Sequence, residues 1–247
     1  MIYFFSGTGN SKATAFMLGE KLQMECRSIP EADATQFKRG KKNIFVFPVY
    51  SWGVPPIVLD FIKKIPTAPP KSETYCVMTC GDETGNAPEM FRKAAAKKNL
   101  DVKACYSVIA PNTYVLLPGF DVDGKETERR KLLEMPERIN WIASEISSGK
   151  SAGDVIKGSF PRLKTRLVYP LFRRFGIFPK RWKADSRCIS CGICARKCPV
   201  GNISMTSGKP SFGINCTSCL ACYHNCPVKA ISYGHITYKK GQYHYPD

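Results

Sequence analysis

Twice toward its C-terminal end the chain spells C-x2-C-x2-C-x3-C-P. Cys188, Cys191, Cys194 and Cys198 precede Pro199, and Cys216, Cys219, Cys222 and Cys226 precede Pro227. The second run follows the first at an offset of 28 residues at every position, and Val200, Ile203 and Ser204 recur as Val228, Ile231 and Ser232. This is an internal duplication, and each half is too short to bury a core of its own. Cysteines three apart on a tight turn place three thiolates around one face of an Fe4S4 cube. The fourth cysteine starts the next short helix, and the proline behind it turns its thiolate toward the other cube. The spacing therefore assigns Cys188, Cys191, Cys194 and Cys226 to one cluster. It assigns Cys216, Cys219, Cys222 and Cys198 to the other. Structural zinc sites pair two C-x2-C halves or add histidines at set offsets. The third C-x2 step and the C-P ending are superfluous for zinc, and His224 stands off any zinc pattern.

Eight of the 12 cysteines fall within these 39 residues. Cys26, Cys76 and Cys105 lie in apolar segments and read as buried thiols. Cys80 has no base beside it in sequence and also reads as structural. The start, Met1-Ile2-Tyr3-Phe4-Phe5, carries no basic leader or small-residue cleavage site. No apolar run approaches the length needed to span a bilayer. A cytoplasmic location is expected, where thiols stay reduced and cysteines serve metal or redox chemistry.

Residues 1–150 alternate short apolar runs with amphipathic stretches. Strands are predicted at Ile2–Phe5, Glu25–Ile29, Asn43–Phe47, Thr74–Thr79 and Val102–Ile109. Helices are predicted at Asn10–Leu22, Pro55–Lys64, Ala87–Asn99 and Asp123–Ser148, with Pro136 expected to kink or break the last. The alternation predicts an α/β fold, a doubly wound parallel sheet with helices on both faces. The first strand runs straight into Ser6-Gly7-Thr8-Gly9-Asn10-Ser11 and then a helix. Glycines let the backbone turn sharply, and hydroxyls, amides and a helix N-terminus suit a phosphate held by neutral donors. Lys12 stands where the dinucleotide fingerprint has its third glycine, and the Walker A spacing is absent. Two further strand-end loops, Pro48 to Pro55 and Thr79 to Asn86, bring aromatics and glycines to the same sheet edge, which suits a flat ring.

Together these loops resemble those of the flavodoxins, and the first matches their S/T-x-T-G-N-S/T form at every specified position. The resemblance implies a flavodoxin-like sheet of order 2-1-3-4-5 that binds FMN. Ser6, Thr8, Gly9, Asn10 and Ser11 would hold its phosphate. Tyr50, Ser51, Trp52 and Gly53 would flank one side of the isoalloxazine, and Gly81, Asp82 and Gly85 the other edge. Residues 184 to about 235 resemble the bacterial two-[4Fe-4S] ferredoxins, a small α+β domain. Asn112-Thr113-Tyr114 looks like a segment of ferredoxin-fused flavodoxins of mainly anaerobic bacteria, the family that the whole chain resembles. The implied organisation is an FMN domain over 1–150, a connector over 151–183 and a two-cluster domain over 184–247. The implied function is a relay of single electrons between two [4Fe-4S] clusters and FMN. The alternative is a flavin-dependent reductase of a small organic acceptor fed by the clusters. No acid–base or nucleophile constellation stands out.

The formal charge is +17, which raises nucleic acid as a partner. Its distribution argues otherwise. Residues 1–150 carry +4, residues 184–247 carry +5, and the 33 residues of 151–183 carry +8. Two clusters and an FMN phosphate would bring the loaded protein to roughly +11, and no recognition helix or stacking motif is visible. The excess suits an acidic redox partner protein or an anionic membrane surface. In the connector, Leu163, Leu167, Leu171 and Phe175 recur at steps of four among Arg162, Arg166, Arg173 and Arg174. The simpler expectation is that this apolar side packs across the domain junction. Membrane docking is the alternative.

Overall fold

Central strands of a parallel sheet are covered on both faces, so their sequences are almost continuously apolar. Ile44 to Phe47 and Tyr75 to Met78 are such runs. The computed structural model describes residues 1–37, 42–67, 73–175 and 179–246. Strands β1 (Ile2–Phe4), β2 (Cys26–Ser28), β3 (Lys42–Pro48), β4 (Glu73–Cys80) and β5 (Asp101–Ile109) form one parallel sheet in the order β2-β1-β3-β4-β5. This is the flavodoxin-like doubly wound order, and its strand order reverses beside β1 and β3.

The sheet's two faces divide by alternation. Tyr3, Phe5, Phe45, Phe47, Cys76 and Met78 face one way, and helices α2 (Pro56–Lys64) and α3 (Ala87–Ala96) cover them with Val58, Phe61, Ile62 and Phe91. Ile2, Phe4, Ile44, Val46, Tyr75 and Val77 face the other way, under α1 (Asn10–Leu22) and α4 (Lys125–Ser147). Pro136 does not break α4, which runs through it. It lies on the exposed side, between buried Met135 and buried Ile139, where water can take the carbonyl that proline leaves unpaired. Cys76 and Cys105 are register partners on β4 and β5 and are both buried thiols.

Residues beyond α4 are not a free linker. Asp154 bridges to Tyr106 on β5, and the Thr84 N–H donates to the Ile156 carbonyl at 2.7 Å. A helix follows: α5 (Pro161–Leu163), wider π turns over Lys164–Val168, and α6 (Tyr169–Phe175). Its buried side is Thr165, Tyr169 and Phe172, while Leu163, Leu167 and Leu171 point to solvent. The expected packing of the leucine side is therefore corrected. Hydroxyls and aromatic rings grip the sheet-end loops better than leucines, because those loops present backbone carbonyls. The Phe175 side chain lies outside the described residues.

The C-terminal unit is built from the duplication. Strand β6 (Trp182–Ala184) pairs antiparallel with β9 (Ile231–Tyr233), and β7 (Ile203–Thr206) with β8 (Lys209–Phe212). The short helices α7 (Ile193–Arg196) and α8 (Ala221–His224) carry the third cysteine of each run, and the fourth, Cys198 and Cys226, follows the helix in a turn with its proline rather than starting a helix as expected. The repeat extends to the backbone. Left-handed φ occurs at Ser190 and Ser218, at Gly192 and Leu220, and at Gly201 and Lys229, each pair at the same offset. A small core of Trp182, Ile203, Leu220, Tyr223, Ile231 and Tyr233 also takes in Val115 and Leu116 from the loop after β5.

Lys229 holds φ 50° where the first repeat has glycine. A side chain in that conformation costs about 1–2 kcal/mol, partly offset by glycine's greater freedom when unfolded. Lys229→Gly, at an exposed position, should raise the melting temperature by the equivalent of about 0.5–1 kcal/mol. Calorimetry that showed a lower midpoint would contradict this.

Candidate functional site

At the carboxyl end of β1 the chain turns through Ser6 to Gly9 into α1. Gly9 has φ 104°, a conformation open to glycine, and its N–H donates to Ser6 Oγ at 3.2 Å. The loop edges a cleft with about 90 Å³ of free interior volume. Ser6, Gly7, Thr8, Asn10 and Ser11 line it from one side, Tyr50 and Gly81 from neighbouring loops, and Pro111 to Tyr114 from the loop after β5. Among the described residues, no lysine or arginine lines it. Ser11 Oγ and Thr79 Oγ1 lie 2.6 Å apart and join α1 to the end of β4. Asn10 is committed elsewhere: its Nδ2 donates to the Pro111 carbonyl at 3.1 Å, and its Oδ1 accepts from Tyr243 Oη at 2.6 Å. What Asn10 leaves for an anion is its backbone N–H. Cys80 is on the wall, and burial pushes its thiol up to about 12, so it stays protonated.

Of the twelve residues expected around FMN, Ser6, Thr8, Asn10, Ser11, Tyr50 and Gly81 line this cavity. Gly9, Ser51, Trp52, Gly53, Asp82 and Gly85 do not. Ser51 and Trp52 form a tight turn with φ 43° and 61°, closed by paired hydrogen bonds between Tyr50 and Gly53 of 2.8 and 2.9 Å. Two non-glycine residues at positive φ are strained, and the connector helix holds them. Thr165 Oγ1 donates to the Trp52 carbonyl at 2.6 Å and accepts from the Asn86 N–H at 2.9 Å, tying together the loops after β3 and β4. Tyr169 Oη donates to the Val54 carbonyl, and its ring covers Gly53. The Trp52 indole N–H donates to Glu83 at 2.6 Å, Lys164 pairs with Glu83, and its ammonium sits 5.2 Å from the indole centroid. Asp82 is exposed and lies 3.8 Å from Lys131. Phe172 contacts Tyr50 and Tyr114 edge-on, with centroids 6.2 and 6.3 Å apart, and so backs the two rings that line the cavity.

In the C-terminal unit one cavity is lined by Cys188, Cys191, Cys194 and Cys226, and another by Cys198, Cys216, Cys219 and Cys222. Each contains three cysteines of one run and the fourth of the other. The remaining walls are largely apolar: Ile193, Pro210 and Ile231 in the first, Trp182, Phe212 and Leu220 in the second. Backbone N–H groups of Asn202, Ser218 and Ala230 donate to the sulfurs of Cys198, Cys216 and Cys226 at 3.2, 3.4 and 3.2 Å. Such donors favour thiolate over thiol. Four cysteines around a dry space with amides on their sulfurs fit an iron–sulfur cube. Among the described residues, no three His, Cys, Asp or Glu side chains close on a single ion.

The two units meet at the cavity. Cys219 lines both the cavity beside the loop after β1 and the second cysteine cavity. A methyl group on Gly7 would overlap the Cys219 carbonyl oxygen, so only glycine permits this approach. His224 accepts from the Tyr243 N–H at Nδ1 (3.1 Å), which leaves its Nε2–H to donate to the Thr113 carbonyl (2.8 Å). Burial holds its pKa down at about 4, so the ring is the neutral tautomer that both bonds require. The Tyr245 N–H donates to the Thr8 carbonyl at 2.7 Å. Sequence reasoning missed Thr165, Tyr169 and Phe172, and the second role of Cys219. Only the hydroxyls and rings interrupting the leucine pattern hinted at the first three.

Residues 187–231 match the family model described as a 4Fe-4S dicluster domain. No curated protein matches the chain. Among solved structures it is similar to a flavodoxin of Streptococcus pneumonia TIGR4, at 17% identity over 60% of this chain and 96% of that one, TM-score 0.42. It is also similar to a short-chain flavodoxin associated with a non-canonical PDU bacterial microcompartment, at 16% identity over 60% and 97%, TM-score 0.43. Flavodoxin 1 from Bacillus cereus is a third, at 16% over 60% and 95%, TM-score 0.38.

Gly7→Ala is expected to force the Cys219 loop off the loop after β1 and to lower stability by about 1–3 kcal/mol, the usual scale of an overpacked contact. Thermal unfolding of the variant measures it. An unchanged midpoint would mean that the loops do not touch in solution.

Proposed function

We propose that the chain relays single electrons between two [4Fe-4S] clusters and FMN. The observation that carries this reading is the double position of Cys219, on the wall of both the phosphate-loop cavity and the second cysteine cavity. FMN accepts two electrons and passes them on singly, while a cluster moves one at a time. The residues supply position and electrostatics.

The phosphate group falls to the backbone N–H groups of Gly7, Thr8, Asn10 and Ser11 and the hydroxyls of Ser6, Thr8 and Ser11, with the N-terminus of α1 adding partial positive charge. Tyr50 and Tyr114 present rings to the flat part of the cofactor, and Phe172 packs behind them. Cys198, Cys216, Cys219 and Cys222 hold the inner cluster. Cys188, Cys191, Cys194 and Cys226 hold the outer one, where Cys191 and Ile189 are exposed. Arg196 donates to the Cys191 carbonyl at 3.0 Å and Lys209 to that of Cys188 at 3.4 Å. These exposed cations at the outer mouth suit an acidic redox partner protein. The order is then partner, outer cluster, inner cluster, flavin, or the reverse.

The protein reconstituted without oxygen should contain roughly eight iron atoms and one FMN. In Cys191→Ser, FMN content should persist, while reduction of the flavin by a one-electron protein donor should slow by at least about tenfold, a barrier change of roughly 1.4 kcal/mol. Stopped-flow absorbance reads this directly. Flavin reduction at the unaltered rate would sink the relay. Zinc without sulfide would sink the cluster assignment, and turnover of a small organic acceptor would favour the reductase reading.

A further inference from the structure

The connector helix carries two apolar sides, and only one of them is used. Thr165, Tyr169 and Phe172 pack against the loops after β3 and β4. On the other side Phe160, Leu163, Leu167 and Leu171 are 75%, 60%, 56% and 51% exposed. The three leucines recur at steps of four, so they form one ridge along the helix. Scattered exposed leucines are ordinary, but an aligned row is not. Exposed Arg162, Arg166 and Arg173 alternate with them, in the segment that concentrates +8 of the chain's charge.

We propose that this ridge docks on an anionic membrane surface, with the leucines and Phe160 in the acyl boundary and the arginines among the headgroups. A helix lying in the interface needs this combination of an apolar strip beside basic residues. A second copy is a poorer occupant, since a two-fold apposition of leucine ridges would set arginine rows against each other. An acidic protein would answer the arginines but not the aligned leucines. Among the described residues no helix is long and apolar enough to cross a membrane, so the attachment is peripheral. The gripping contacts of Thr165, Tyr169 and Phe172 make the helix a rigid mount, so docking would hold the loops after β3 and β4 close to the lipid.

The test is co-sedimentation of the loaded protein with vesicles of phosphatidylcholine alone or with phosphatidylglycerol added. Binding is expected only to the anionic vesicles. Replacing Arg162, Arg166 and Arg173 together with glutamine should weaken it on the order of a hundredfold. Replacing Leu163, Leu167 and Leu171 together with glutamine should weaken it more than about tenfold. All six side chains are exposed, and cofactor absorbance together with circular dichroism would confirm that both variants fold. No binding to anionic vesicles at low salt would overturn the proposal. So would wild-type binding by the leucine variant, or a leucine-dependent dimer in sedimentation velocity that leaves vesicles unbound.

Discussion

Two backbones touch where Gly7 meets the carbonyl of Cys219, and the arrangement of the two units follows from that contact. Any side chain at position 7 would push the cysteine loop outward and open the wall between two cavities. The surrounding bonds enforce the same closeness. His224 joins α8 to the Thr113 carbonyl, and the Tyr245 N–H donates to the Thr8 carbonyl in the loop after β1. The duplicated cysteine unit and the flavodoxin-like unit are therefore packed directly on each other rather than strung like two beads.

Much of this was legible in the residues. The alternation of apolar runs placed five strands and four helices within a few residues of where they lie, and α1 begins and ends as read. Period and length suffice there because each element buries one face against the same sheet. The 28-residue offset announced a duplicated unit, and the left-handed positions repeat it in the backbone. The site was less legible. A Tyr50-Ser51-Trp52-Gly53 loop at a flavodoxin-like sheet edge invites every aromatic toward the ligand. Yet Trp52 turns outward to Glu83 and Lys164, because Ser51 and Trp52 sit in a tight turn. That is a tertiary outcome, set by a helix more than 100 residues away.

The connector shows the same limit in another way. Leucines at steps of four are the strongest helical pattern in residues 151–183, and they face solvent. The side that grips the protein is spelled by a threonine, a tyrosine and a phenylalanine. Thr165 contributes one hydroxyl that donates to one loop and accepts from another, which no leucine could do. Hydrophobic pattern locates a helix but does not say which apolar side is taken when the neighbours are loops with unpaired carbonyls.

The bond between Tyr243 and Asn10 has a consequence for how the molecule assembles. It spans 233 residues of chain, and bringing such distant segments together against chain entropy costs about 5 kcal/mol on simple loop statistics. Neither partner can meet that alone, so the bond forms only after the sheet and the duplicated unit have each folded and closed most of the gap. For the loop after β1, the bond from Tyr243 is thus a late lock, set once the units on either side of it are in place.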